Sequence, residues 1–172
     1  ASKIIFDNLE QMYASSVNLW LVETKAEEII SDVFKDVKRR DKTSFQRRMF
    51  ASGITPEGSI HFLDELFSKV NKRFIITGNP GTGKSVVLKK ILDQAASKGL
   101  DIDIFYCPMN PEKIEHMIIK ELDIGFVTSV KPHMISNLRE NDEIVDMNLV
   151  LDYSRLKHVE ENINYDNSLS WS

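Results

Sequence analysis

The stretch RFIITGNPGTGKSVVLKKILDQAAS, Arg73 to Ser97, decides how this chain folds. Arg73 to Thr77 reads as a short buried strand. Gly78, Asn79, Pro80, Gly81, Thr82, Gly83, Lys84 and Ser85 match G-x-x-x-x-G-K-[ST] without a mismatch. Lys84 to Ser97 reads as helix, with Val87, Leu88, Ile91 and Leu92 apolar and Gly99 placed to end it. Each fixed residue of the loop has a physical task. The glycines admit backbone conformations closed to other residues and a close approach to an anion. Successive N–H groups then form an anion nest that runs into a helix N-terminus, whose dipole favours negative charge. Lys84 is expected between the β- and γ-phosphates of a nucleotide, and Ser85 Oγ on Mg²⁺. Val86 completes the expected nucleotide-contacting set. By residue frequencies, the motif arises by chance somewhere in a chain of this length less than about 1% of the time.

Outward from the loop, strands and helices alternate. Asp101 to Cys107 alternates as a second strand. Asn110-Pro111 resembles a helix cap followed by proline, predicting a helix to about Lys120. Ile124 to Val130 is a third strand candidate. Asp142 to Tyr153 reads as helix, and the polar last dozen residues as a frayed tail. Upstream, Phe50 to Gly58 reads as a loop. A helix is expected from Ser59, with Ile60, Leu63, Leu66, Phe67 and Val70 on one face. This pattern predicts an α/β, P-loop NTPase-type three-layer domain. Its parallel sheet should be short, about three strands, and incomplete unless another chain adds to it.

Hydrolysis needs more than the loop: an acid, usually at the end of a neighbouring strand, to hold the metal's water shell. The best strand for this, Ile124 to Thr128, ends in a neutral hydroxyl. Lys84 and Thr128 are therefore the candidate catalytic positions, and slow turnover is expected. Asp103 lies inside a strand, Asp123 at the wrong end of one, and Asp142, Glu143 and Asp146 are unplaced. The chain lacks a guanine-reading Asn-Lys-x-Asp element after a later strand, so ATP is expected. His133, after Pro132, is a candidate γ-phosphate sensor or an ordinary loop residue. Cys107 reads as a small buried filler. Three functions fit: a slow Mg²⁺-dependent ATPase, a nucleotide-holding module without turnover, and a small-molecule kinase, ranked last for want of an Arg-rich lid.

Residues 1–46 read as a helical arm, with Ile5, Leu9, Met12, Tyr13, Ile29, Ile30, Val33, Phe34 and Val37 at three- and four-residue steps. Val17 to Val22 marks a bend between two helices. Residues 47–172 then form the nucleotide-binding domain. Lys38 to Arg48 is a basic joint that ends the helical region. It reads as solvated cations, and less readily as a nucleic-acid contact or, at Arg47 or Arg48, an arginine finger. Trp20, with Leu19 and Leu21, is expected to pack inside a helical hairpin; if a preceding half is missing, it becomes an exposed partner face. A protein partner or a second copy is expected through this arm.

The composition, 42% apolar and 28% charged, excludes collagen-like, low-complexity and wholly disordered classes. The net charge of −4 argues against a general polyanion binder. It is unevenly spread: residues 1–100 hold 16 Lys+Arg against 12 Asp+Glu, and residues 101–172 hold 6 against 14. Nucleic acid is thus not the partner expected. No apolar run is long enough to span a bilayer, and no signal peptide is read. A single cysteine suits a reducing, cytoplasmic setting.

Three runs, RRMFASGITPEG, RFIITGNPGTGKSVVLKKI and DIFYCPMNPEKIEHMIIKELDIGFVTSVKPH, resemble the second half of a bacterial family of tandem P-loop proteins labelled as ATPases. The resemblance covers roughly residues 47–151 and rests on the loop, Tyr106-Cys107 and Pro132-His133. Residues 1–46 are similar to the helical segment that links the family's two halves. The resemblance implies nucleotide binding and a place in a longer protein or a shortened relative. It also implies an Asp-Gly-Thr before the Pro-His pair. This chain has Thr128-Ser129-Val130 there, which puts metal-assisted hydrolysis in question at that residue.

Overall fold

The computed structural model describes residues 2–131 and 133–170. The loop's strand is β4 (Lys72–Thr77) and its helix α4 (Lys84–Ser97). Before them come α1 (Ser2–Ser15), α2 (Leu19–Phe34), β1 (Gln46–Met49), β2 (Ser52–Thr55), β3 (Gly58–His61) and α3 (Leu63–Phe67). After them come β5 (Ile102–Cys107), β6 (Asn110–Ile119), β7 (Ile124–Thr128), β8 (Glu143–Asp146), a 3-10 turn (Met147–Val150) and α5 (Tyr153–Ser170).

Six strands form one sheet in the order β1-β5-β6-β7-β4-β8. β1 runs parallel to β5, and β4 runs parallel to both β7 and β8. β6 is antiparallel to both its neighbours. The fold is α/β with a mostly parallel sheet between two helical faces, a P-loop NTPase-type arrangement. The sheet is fuller than the three strands expected, because segments 46–49, 110–119 and 143–146 each supply one.

Both faces of the sheet are buried along β4, β5 and β7, which explains the apolar runs of those strands. On one face α2 and α4 cover it: Val22, Ala26, Ile29 and Phe34 meet Val87, Leu88, Ile91 and Ala95 over Phe74, Ile76, Ile104 and Met117. On the other, Leu63, Phe67 and Val70 pack on Ile75, Phe105 and Val127. Fully burying a side chain of this size stabilises by about 1.5–3 kcal/mol.

The expected helix at Asn110–Lys120 is instead β6. Its apolar residues fit either period, since Ile114, Met117 and Ile118 are three and four apart while His116/Ile118 and Met117/Ile119 alternate. A strand buried on both faces carries no clean alternation. Short turns, Pro108-Met109 and Lys120 to Asp123, join it to its neighbours. Antiparallel pairing needs no crossover helix. The expected loop at Phe50–Gly58 and the start of the helix at Ser59 are a hairpin: Thr55 pairs with Gly58 across Pro56-Glu57. Proline suits the second position of such a turn. Only Leu63–Phe67 of that helix forms.

Asp142–Tyr153 is not one helix. It divides into β8 and the 3-10 turn, because Asp142 is tied to Arg73 and so sets β8 beside β4. The tail is helical to Ser170, begun by Asp152, whose carboxylate accepts from the Ser154 and Arg155 N–H groups. Residues 171–172 of the expected fray lie outside the described residues. The bend in the arm falls at Ser16–Asn18, where the Asn18 side chain caps α2 by accepting from Trp20 N and Leu21 N. Trp20 is 70% exposed and not packed in a hairpin. The face α2 buries runs through Val22, Ala26 and Ile29, and Trp20 lies off it. Among the described residues no helix is long and apolar enough to cross a membrane.

Candidate functional site

The loop between β4 and α4 is built around three glycines in conformations that L side chains rarely adopt: Gly78 at φ +137°, Gly81 at +77° and Gly83 at +87°. Three neighbours press on it. A Cβ at Gly81 would lie 2.2 Å from the Glu10 carbonyl oxygen of α1, one at Gly83 would lie 3.0 Å from Val22 of α2, and one at Gly78 would lie 3.0 Å from Met147 Cβ. Only glycine meets both demands at Gly81, backbone conformation and clearance.

Side chains hold the loop from within. Asn79 N donates to Asn148 Oδ1 at 2.9 Å, and Asn148 N donates to Asp146 Oδ1 at 2.9 Å. Thr82 is fully buried and its hydroxyl donates to Asn79 O at 2.7 Å. Lys84 folds back over the loop. Its ammonium donates to Gly78 O at 2.8 Å and Asn79 O at 2.6 Å. Its pKa is lowered to about 8, by burial first and by Lys113 second, with Glu10 opposing them. Ser85 lies half-buried in the first turn of α4, and Val86 is 46% exposed beside it. Pro80 and Gly81 are half-buried.

Thr128 ends β7, which pairs with the loop's own strand, Ile76 opposite Thr128. Its residue is 9% exposed, and its hydroxyl has no hydrogen-bond partner among the described residues. A buried hydroxyl left unpaired costs about 1–3 kcal/mol, and this one lies at the loop end of the strand adjacent to the loop's own. The Thr128 N–H donates to His116 Nδ1 at 3.0 Å, so that nitrogen carries no proton while the bond is made. His116 is 3% exposed and was not singled out by the sequence. An isolated His in a run read as helix gave no signal that β6 would place it against β7.

The unplaced acids now have places. Asp142 accepts from Arg73 in a pair in which both side chains are 2% exposed. It immediately precedes β8 and lies beside the start of β4, at the opposite end of that strand from the loop. Asp146 ends β8 at the loop end, with Thr77 opposite. Asp103 is held by Arg47 and Lys120. His133 bridges back to Val130 just past β7; Pro132 lies outside the described residues. Cys107 is half-buried, and burial together with Glu115 raises its thiol pKa.

Half of the basic joint's cations are paired with acids: Arg40 with Glu121 at 2.6 Å, Lys42 with Asp101 at 2.7 Å and Arg47 with Asp103 at 3.1 Å. Arg48 stacks over Tyr106, 5.6 Å from its ring centre. A groove of about 320 Å³ lies on the α3 face between Met49, Leu66, Val70 and Phe105, with no part of the loop in its walls.

A family model described as NTPase matches residues 73–139, the span from the loop's strand to beyond β7. The chain is also similar to the nucleoside-triphosphatase THEP1 of Sulfurisphaera tokodaii, 43% identical over 53 residues. That match covers 30% of this chain and 31% of the relative, so the chain spans about a third of the length of the curated relative it matches. No solved structure matches the chain. The family match, the relative and the fold support P-loop nucleotide binding.

Proposed function

We propose that this chain binds a nucleoside triphosphate, ATP with Mg²⁺, on the Gly78–Ser85 loop and hydrolyses it slowly. The observation that carries the reading is the Lys84 ammonium, half-buried over the loop and held by the Gly78 and Asn79 carbonyls and the Thr82 hydroxyl of that loop. A lysine with depressed pKa, folded onto a glycine-rich turn at a helix N-terminus, is a cation awaiting an anion. The backbone amides of Gly81 to Ser85 would take the phosphates. Lys84 would turn from Gly78 O and Asn79 O to the β- and γ-phosphates.

The chain also suits Mg²⁺ brought in by the nucleotide. Among the described residues no cluster of three His, Cys, Asp or Glu could hold a metal alone. Magnesium at phosphate sites keeps several waters and takes one or two protein oxygens. The Ser85 hydroxyl would be one, and the unpaired Thr128 hydroxyl would orient a bound water. The ion would supply charge neutralisation on the phosphates. A neutral Thr128 orients water without adding negative charge, which favours holding over turnover. We further assign residues 1–46 to a helical arm and 47–172 to the nucleotide-binding unit. A protein partner or a second copy would meet the arm, where Leu19 and Trp20 are exposed. A cytoplasmic setting and a tandem arrangement with a preceding P-loop half belong to the same proposal.

Titration calorimetry with ATP, ADP and GTP, with and without Mg²⁺, tests the reading, followed by a phosphate-release assay. ATP at 100 times its dissociation constant should raise stability by about 2.7 kcal/mol. Absence of a thermal shift with every nucleotide would end it.

A further inference from the structure

The loop does not stand alone as a basic site. Lys113, from the first half of β6, comes to the same end of the sheet, because β6 runs antiparallel and starts where β5 ends. There its ammonium meets the Glu10 carboxylate of α1 at 2.5 Å. Glu10 is also the residue whose backbone carbonyl rests against Gly81. One turn of α1, Glu10 to Ala14, thus touches the phosphate loop through its backbone and a second lysine through its side chain. Lys84 lies within electrostatic reach of both: Lys113 disfavours its charge and Glu10 favours it. Two lysines and one carboxylate therefore share the space beside the loop.

We propose that Lys113 is a second phosphate-binding cation, and that Glu10 holds it in the empty protein as a stand-in for the anion. The proposal rests on the nucleotide-binding reading above. Two lysines brought together beside a half-buried loop repel one another unless an anion lies between them. In the empty protein Glu10 supplies that anion. A triphosphate brings more negative charge to the same place and competes with Glu10 for Lys113. Release of Glu10 then loosens the turn of α1 that lies on Gly81, so occupancy of the loop is relayed to the helical arm. The pair is a quarter to a third exposed, so the exchange needs no deep rearrangement. A diphosphate, with less charge, drives the exchange less far.

The test is a double-mutant cycle read by calorimetric affinity for the slowly hydrolysed analogue ATPγS and for ADP, on the whole chain. Lys113→Met should weaken ATPγS binding about tenfold and ADP binding less. Glu10→Gln should tighten ATPγS binding about threefold, the scale of a partly exposed ion pair. In the double variant the Glu10→Gln gain should vanish. Lys113→Arg should keep near-native affinity. Hydrogen exchange should quicken in α1, and not in α2, when ATPγS binds. Wild-type affinity in both Glu10→Gln and Lys113→Met, with Lys84→Ala still impaired, would overturn the assignment while leaving nucleotide binding intact. Should Lys113→Met fail to fold, Glu10→Gln decides alone, since unchanged affinity there overturns the proposal. No binding of either nucleotide by the wild type would remove the underlying reading and this inference with it.

Discussion

Lys84 concentrates the chemistry of the loop in one titratable group. With its pKa lowered to about 8 by burial, it is partly neutral in the empty protein at mildly alkaline pH. Phosphate favours its charged form, so binding above pH 8 must draw a proton from solvent. ATP affinity should fall as pH rises through 8, and calorimetry at pH 8.5 in buffers of different ionisation heat should report proton uptake. A flat affinity from pH 7 to 9.5 would place the Lys84 charge away from the phosphates. The stability of the empty protein moves the other way. Unfolded lysine keeps its proton to about 10.5, so the unfolded chain binds more protons than the folded one between pH 8 and that value. This group's penalty is full below pH 8 and relieved as pH rises through that window. Lys84→Ala should weaken ATP more than ADP, since the γ-phosphate adds the charge that Lys84 meets; equal losses would contradict that geometry. A second charged residue carries stability alone. Arg73 and Asp142 are buried together, and Arg73→Ala should cost about 3–5 kcal/mol in denaturant unfolding by stranding the carboxylate. Arg73 holds the Asp142 carboxyl below its ordinary range. The pair's contribution is therefore present above about pH 4 and lost as acid protonates it. A cost under about 1 kcal/mol would show that water reaches the pair.

Among the elements, those whose sequence carried one unambiguous signal were legible. The helix Lys84–Ser97 was read to the residue, since a glycine loop fixes its start and Gly99 its end. The loop's strand and its neighbour β7 were read within a residue or two. β6 was not, because a strand covered on both faces and a buried helix share the same apolar run. The β2–β3 hairpin hid behind Gly and Pro punctuation, which marks turns without saying whether strands flank them. β8 could not be foreseen: its four residues owe their place to Arg73, 69 positions upstream of Asp142. The arm's bend at Asn18 was legible to within a few residues, and its cap is testable. Asn18→Ala should cost about 1 kcal/mol by thermal unfolding; no change would mean that the backbone bond from Asn18 N to Val150 O fixes the bend unaided. Gly81→Ala should do more. Its Cβ would enter the α1 backbone, so α1 amides should exchange faster even without nucleotide. Unchanged exchange would show that α1 does not rest on the loop in solution.

At the scale of the molecule, the uneven charge of the sequence resolves into contacts. Arg40, Lys42 and Arg47 meet the acids at 101, 103 and 121 across the β1–β5 edge, and so half of the basic joint's six cations are already matched by internal acids. The phosphate loop lies at the far end of β4 from the buried Arg73–Asp142 pair. The sequence located the loop but not its companions: Glu10, Lys113 and Asn148 come to it over separations that no local pattern encodes, as His116 comes to Thr128 on the adjacent strand. This layout also decides which acid could support a metal. Asp142 is excluded, being locked to Arg73 about four residues, or ~13 Å, back along the strand. Two positions flank the loop strand at its productive end, Thr128 on β7 and Asp146 on β8. Asp146 already accepts the N–H of Asn148, whose side chain steadies Asn79. Thr128 has a hydroxyl with no partner among the described residues and is the freer group. Wild-type turnover should therefore fall well below about 10 s⁻¹. Thr128→Asp should raise phosphate release with little change in ATP affinity. It should also lower the melting temperature of the empty protein, because a carboxylate at so buried a site lacks a counter-charge, and Mg²⁺ with nucleotide should restore it. Brisk wild-type hydrolysis that survives at Thr128 but is lost in Asp146→Asn would move the metal's acid to β8.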